Sequence, residues 1–264
     1  RDFKYDGQGA AYTLDPQESI NYVSKHDNQT LWDFNQYKAA PDVSVEDRAR
    51  MQIIGLAPVM LGQGVPFLHM GSELLRSKSM ERDSYDSGDW YNKVDFSKQT
   101  NNWNVGLPRS DKDKDNWDAI KTIINNPNAK ARPQDIEWTD ARFKELLKIR
   151  STTPLLKLIS ADEVVKRVRF HNTGSASVPG VIVMSVDDGV KAGADLDTNY
   201  QALVVVINAN IKAQSVTLSG ASGFELHPVM ASSSDSKITQ SSFSNGTFNV
   251  PGLTAAVFVK PQSG

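Results

Sequence analysis

The sequence predicts an α/β segment followed by an all-β, antiparallel β-sandwich. Three observations predict it. Residues 20–70 read strand, helix, strand, the βαβ alternation of a parallel sheet. Both apolar runs stop abruptly in polar side chains, the position at which α/β barrels collect their catalytic residues. Beyond Ile159 the texture changes to short β-branched runs separated by turn signals, the pattern of a sandwich.

Composition limits what the chain can be. Its 264 residues can bury one large core or two modest ones, and a hydrophobic fraction of 39% with 23% charged residues is that of an ordinary soluble protein. A net charge of −2 without a long basic run gives no electrostatic footprint for nucleic acid. No apolar run approaches the roughly 20 residues that span a bilayer. The absence of cysteine excludes disulfides and thiolate metal sites, and is silent on compartment. The chain opens mid-pattern on Arg1-Asp2-Phe3-Lys4-Tyr5-Asp6 with no initiator methionine, so the expectation is a piece of a longer protein.

Residues 1–19, with Gly7, Gly9 and Pro16, read as a loop. Ile20-Asn21-Tyr22-Val23 suits a buried strand, and Lys25, His26, Asp27 and Asn28 follow it directly. Spacing alone leaves two readings open, a chemical site at a strand end or a His-Asp pair that caps the next helix. A polar connection then runs from Trp32 to Pro41. Ser44 followed by Asp47 has the look of a capping box, and Ala49, Ile53, Leu56, Ala57 and Met60 recur at helical spacing, with a bend expected near Pro58. Gly62-Gln63-Gly64 ends this helix, and Val65 to Met70 is the second strand.

The stretch from Gly71 to Asn92 is long, rich in carboxylates and aromatics, and reads either as functional or as a solvated surface loop. Lys112 to Asp115 is an expected exposed run ahead of a weak helix over Trp117 to Ile124. Thr139 is the expected cap of a stronger helix, with Phe143, Leu146 and Leu147 on its buried face, Lys144, Lys148 and Arg150 opposite or at its end, and Pro154 as its stop. The expected boundary near Leu158 divides the chain into 1–158 and 159–264. In the second part strands are predicted at Val164 to Phe170, Val181 to Val186, Ala202 to Asn208, Ser215 to Leu218, Thr247 to Val250 and Ala255 to Lys260, with hairpin turns at Asp187-Asp188-Gly189 and Asn245-Gly246. This half is expected to fold alone. His171 and His227, without acidic or nucleophilic company, are read as structural, and Ser232 to Ser234 as a loop.

The run Tyr22-Val23-Ser24-Lys25-His26-Asp27-Asn28-Gln29-Thr30-Leu31-Trp32 resembles the fourth conserved region of the α-amylase superfamily, in the form carried by pullulanase-type debranching enzymes. Arg76 to Asn92 and Asn101 to Arg109 are similar to the loop after the eighth strand of the same enzymes. The resemblance implies the last strands and helices of a catalytic (β/α)8 barrel followed by the sandwich domain. It also implies hydrolysis, with retention, of α-1,6-glucosidic linkages in an α-glucan such as pullulan, glycogen or starch. Asp27 would then be the transition-state stabiliser, with His26, Asn28, Arg82 and Asp83 binding substrate and Trp90 or Trp103 stacking on a sugar. Retaining glycosidases need a nucleophile and an acid/base as well. In the family both lie upstream of this region, so the chain alone is expected to be inactive and to need upstream chain as its partner. No cofactor is required, calcium in the parent is compatible with the resemblance, and an extracellular or cell-surface location is what it implies. A limit dextrinase, an isoamylase or a non-catalytic carbohydrate-binding module stay open as alternatives. Against the module, Phe224, Phe243, Phe248 and Phe258 stand at core positions and no tryptophan follows Trp138.

Overall fold

The computed structural model describes residues 4–10, 13–175 and 177–262. The expected N-terminal loop is therefore described only in part, and it holds a small hairpin of β1 (Lys4–Tyr5) and β2 (Gln8–Gly9). The predicted βαβ order is present. Strand β3 (Ile20–Asn21) pairs in parallel with β4 (Val65–Pro66), and Phe67 N donates to the Asn21 carbonyl at 2.8 Å. The strands are shorter than predicted and not buried: Ile20, Tyr22, Val23, Val65 and Phe67 are all exposed. Among the described residues β3 and β4 make a two-stranded sheet, so their outer edges pair with no further strand.

Between the strands lie α1 (Leu31–Lys38) and α2 (Val45–Leu61). Helix α1 replaces part of the polar connection expected after Trp32. Thr30 caps it by accepting from Asp33 N at 3.1 Å, and Trp32, Asp33 and Gln36 are its buried side. Helix α2 follows its sequence signals. Ser44 Oγ accepts from Asp47 N, the buried face carries Ala49, Ile53, Leu56, Ala57 and Met60, and the helix continues past Pro58 to Leu61.

After β4 come short turns, then α3 (Ser110–Asp113) and α4 (Trp117–Ile124). Asp113 is buried in α3, contrary to the expected exposed run. Helix α5 (Pro133–Thr152) starts six residues before the expected cap. Pro133 opens it, Asp135 accepts from Arg132 N at 2.9 Å, and Thr139 sits buried mid-helix, donating to the Asp135 carbonyl. Two faces are also exchanged: Leu147 is exposed, while Arg150 is buried and donates to the carbonyls of Met60, Gly62 and Gly64 at 2.7–3.0 Å. These carbonyls at the end of α2 have no helical partner, and the guanidinium satisfies them.

Helix α6 (Ala161–Arg167), capped by Ser160, takes the place of the first half of a predicted strand. The all-β part then holds five antiparallel strands in the order β5 (Val168–His171), β6 (Val181–Asp187), β7 (Tyr200–Asn208), β12 (Thr254–Pro261) and β9 (Glu225–Leu226). A second sheet is ordered β10 (Ser242–Ser244), β11 (Thr247–Val250), β8 (Gln214–Thr217). Two short helices, α7 (Pro228–Ala231) and α8 (Ser236–Thr239), precede β10. Asn245 and Gly246, both with positive φ, make the predicted tight hairpin. The turn predicted at residues 187–189 is instead the start of a longer connection, because Asp188 is drawn inward to pair with the buried Arg167.

Val183, Val204, Val206, Phe248, Ala256 and Phe258 fill the space between the two sheets. The other face of the five-stranded sheet, including Val186, Val205 and Val257, packs on Ile53, Met60 and Leu61 of α2 and on Leu146 and Ile149 of α5. Both faces of β7 are therefore covered, which is why Leu203 to Ile207 reads as an unbroken apolar run. The expectation that residues 159–264 fold alone left out this helical layer.

Candidate active site

Because β3 and β4 run parallel, the residues that follow them emerge side by side. Ser24 Oγ and His69 Nδ1 meet at 3.3 Å across the two strand ends. Beyond Ser24 the chain turns through Asn28 at φ +58°, a left-handed conformation that asparagine tolerates. That turn presents the Asp27 carboxylate at an open cleft of about 360 Å³ lined by Tyr22, Val23, Lys25, Asn28 and Phe34. Asp27 Oδ2 is 3.0 Å from Lys25 Nζ, and Oδ1 accepts from Asn28 N at 3.2 Å. The Lys25 ammonium holds this carboxyl below the usual carboxylate range, so it is ionised at neutral pH.

His26 is exposed, and its carbonyl accepts from the Nζ of Lys78 at 2.8 Å. Lys78 is fully buried and also donates to Ser84 Oγ at 3.2 Å. Its backbone N–H, with the Ser77 hydroxyl, is held by the buried carboxylate of Asp33 at 2.7 and 2.6 Å. Burial raises the Asp33 carboxyl to about 6 despite those donors. His69 is lowered to about 4, first by burial and then by the charges of Arg76 and Lys78. Asp83 N donates to Glu81 Oε1, and the Asp83 carboxylate is 3.0 Å from Lys112 Nζ. Among the described residues no three His, Asp or Glu side chains form a metal site, and no helix is long and apolar enough to cross a membrane.

Residues 98–261 match the family model described as alpha-1,6-glucosidases, pullulanase-type, C-terminal. The chain belongs to that family. It is 43% identical to pullulanase 1, chloroplastic, of Arabidopsis thaliana and 44% identical to the pullulanase of Klebsiella pneumoniae, in each case over 98% of this chain. It spans 28% and 24% of those two proteins. The crystal structure of PulA from Klebsiella oxytoca superposes with a TM-score of 0.91 at 42% identity, covering 98% of this chain and 25% of that one. The pullulanase of Klebsiella pneumoniae complexed with maltotriose superposes with a TM-score of 0.90 at 42% identity, covering 99% of this chain and 25% of that one.

In this pullulanase-type chain, Asp27 and Asn28 line one cleft, which Asp83 and Arg82 do not line. The two groups are joined through the buried Lys78, from the His26 carbonyl to Ser84. The partner that engages Asp83, Lys112, comes from a stretch whose sequence carries no site signal. Of the two candidate sugar platforms, Trp90 is exposed, whereas Trp103 packs among Leu74, Leu75 and Ile120 with its indole N–H enclosed. Sequence reasoning missed Asp33, His69, Arg76 and Lys78. Only Asp33 carried a usable signal, the Thr30-x-x-Asp33 spacing that opens a helix.

Proposed function

We propose that the chain is the C-terminal part of a pullulanase-type glycoside hydrolase that cleaves α-1,6-glucosidic linkages in pullulan, glycogen or starch with retention. The observation that carries this reading is an ionised Asp27 at the mouth of a cleft, on the turn that follows the parallel strand β3, in a chain of the pullulanase-type family. A carboxylate held there by Lys25 and Asn28 is suited to face the positive charge that grows on the sugar ring as the glycosidic bond breaks. His26, Asn28, Arg82 and Asp83 take substrate-binding roles in this reading, the last two from the neighbouring loop after β4. The bound maltotriose of the Klebsiella pneumoniae pullulanase supports an α-glucan as ligand.

In the same reading β3 and β4 are the last two strands of a (β/α)8 barrel, residues 1–158 are its C-terminal portion, and 159–264 form a β-sandwich domain. The open edge of β3 and the exposed Ile20, Tyr22 and Val23 suit a neighbouring strand supplied by upstream chain. Nucleophile and acid/base would come from that upstream chain, and residues 1–264 alone would be inactive. We assign the parent an extracellular or cell-surface location on family likeness alone, and one relative is named as chloroplastic. The test is maltotriose release from pullulan by the protein extended upstream of Arg1. Activity abolished or sharply reduced in an Asp27→Asn variant supports the reading, and an unaffected variant overturns it.

A further inference from the structure

The residues after β3 and the loop after β4 are closed into a ring of hydrogen bonds. From Ser24 Oγ the ring passes to His69 Nδ1 at 3.3 Å and from His69 Nε2 to Arg76 Nη1 at 3.1 Å. Arg76 Nη2 donates to the Asn92 carbonyl at 2.7 Å, and Asn92 exchanges two bonds with Ser84, each 3.1 Å. Ser84 Oγ receives Lys78 Nζ, and the second bond from Lys78 returns to the His26 carbonyl, two residues from the start. Arg76 can donate to Nε2 only if His69 is neutral there, so Nδ1 carries the proton toward Ser24.

Lys78 is the unusual member. Its side chain is fully buried, it forms no ion pair among the described residues, and its ammonium is met by two neutral oxygens. Burying a cation on such terms is costly, and a methionine of similar volume would avoid that cost. The segment around it is strained in the same sense. Ser79 and Met80 hold positive φ of 54° and 67°, positions non-glycine residues rarely adopt, and the Asp33 carboxylate pins this turn through the N–H groups of Lys78 and Met80.

We propose that Lys78 is a positioning residue for Asp27: its buried ammonium joins the turn that carries His26 and Asp27 to the loop that carries Arg82 and Asp83, and sets their separation. This rests on the role given to Asp27 above. Misplacing a reacting group by about 1 Å can lower a rate about a hundredfold, which is the scale on which such a tether acts.

The test uses two readouts on Lys78→Met and on the milder Ser84→Ala, which removes one acceptor of Lys78 together with the hydroxyl's bond to Asn92. In residues 1–264, hydrogen exchange over 24–29 and 82–92 should quicken about tenfold in Lys78→Met while β7 and β12 stay protected. In the upstream-extended protein, kcat on pullulan should fall about ten- to a hundredfold with KM within about twofold, and Lys78→Arg should recover part of the loss. If Lys78→Met loses protection throughout, Ser84→Ala decides: a smaller change in the same direction supports the tether, and no change overturns it. Unaltered loop exchange in a folded Lys78→Met also overturns it. A wild-type extended protein inert on pullulan would sink the role of Asp27 instead, and the exchange result would still decide whether Lys78 ties the two loops.

Discussion

The Asp33 carboxylate accepts the Ser77 hydroxyl at 2.6 Å, joining the first turn of α1 to the loop after β4 across 44 residues of chain. With the N–H groups of Lys78 and Met80 it satisfies three donors in a fully buried setting. Asp33→Ala would leave all three without a partner. It should destabilise the fold by about 2–5 kcal/mol in urea titrations, and a loss below about 0.5 kcal/mol would show that water replaces the carboxylate.

His227 sets a pH dependence. Its Nδ1 accepts from Val229 N at 3.2 Å in a buried site, and burial lowers its pKa from 6.5 to about 4. Between those values the unfolded chain binds a proton that the folded chain refuses. Its contribution is therefore complete above pH 6.5 and is lost as pH falls toward 4. His69 has the same sign. Asp33 has the opposite sign, since a carboxyl raised to about 6 costs the fold stability as pH climbs from about 4 to 6. His227→Asn keeps an acceptor for Val229 N and removes one titration. The slope of stability against pH between 4 and 6.5 should fall by up to about 1.4 kcal/mol per pH unit, and an unchanged slope would count against a neutral His227.

Asp27 is exposed, so its replacement should separate rate from stability. In the upstream-extended protein Asp27→Asn should lower kcat on pullulan about a hundred- to a thousandfold. Its thermal midpoint should stay within about 1 °C of wild type, because surface substitutions rarely exceed about 0.5 kcal/mol. An equal loss of rate and melting temperature would point to folding.

Excision tests the helical layer. Residues 159–264 expressed alone would expose Val186, Val205, Val257 and Val259, which α2 and α5 now cover. The excised piece should bind a hydrophobic dye and self-associate in sedimentation runs. A dye-silent monomer would mean that the two sheets suffice.

Much of this architecture was legible from periodicity and punctuation. Ser44, the apolar face of α2, the long strands and the Asn245-Gly246 hairpin all stand where local patterns put them. Helix α1 escaped because half the face it buries is polar: Asp33 and Gln36 lie beside Leu31 and Trp32, and Asp33 is satisfied by a loop 44 residues on. The exchange of Leu147 and Arg150 was equally hidden, since only the open carbonyls at the end of α2 make burying a guanidinium favourable. At the site, Lys25 to Asn28 could be recognised as a local run. The roles of His69, Arg76 and Lys78 arise when distant loops meet, and no local spacing encodes that.

The pairing of α2 with β12 also orders events at the ribosome. Roughly two hundred residues separate Leu61 from its neighbours on β12, about 10–40 s of translation at typical elongation rates. During that interval the apolar stripe of α2 has no sheet to lie on. Stalled or truncated chains should therefore be held by chaperones or degraded, and α2 should reach its native packing only after β12 has been synthesised.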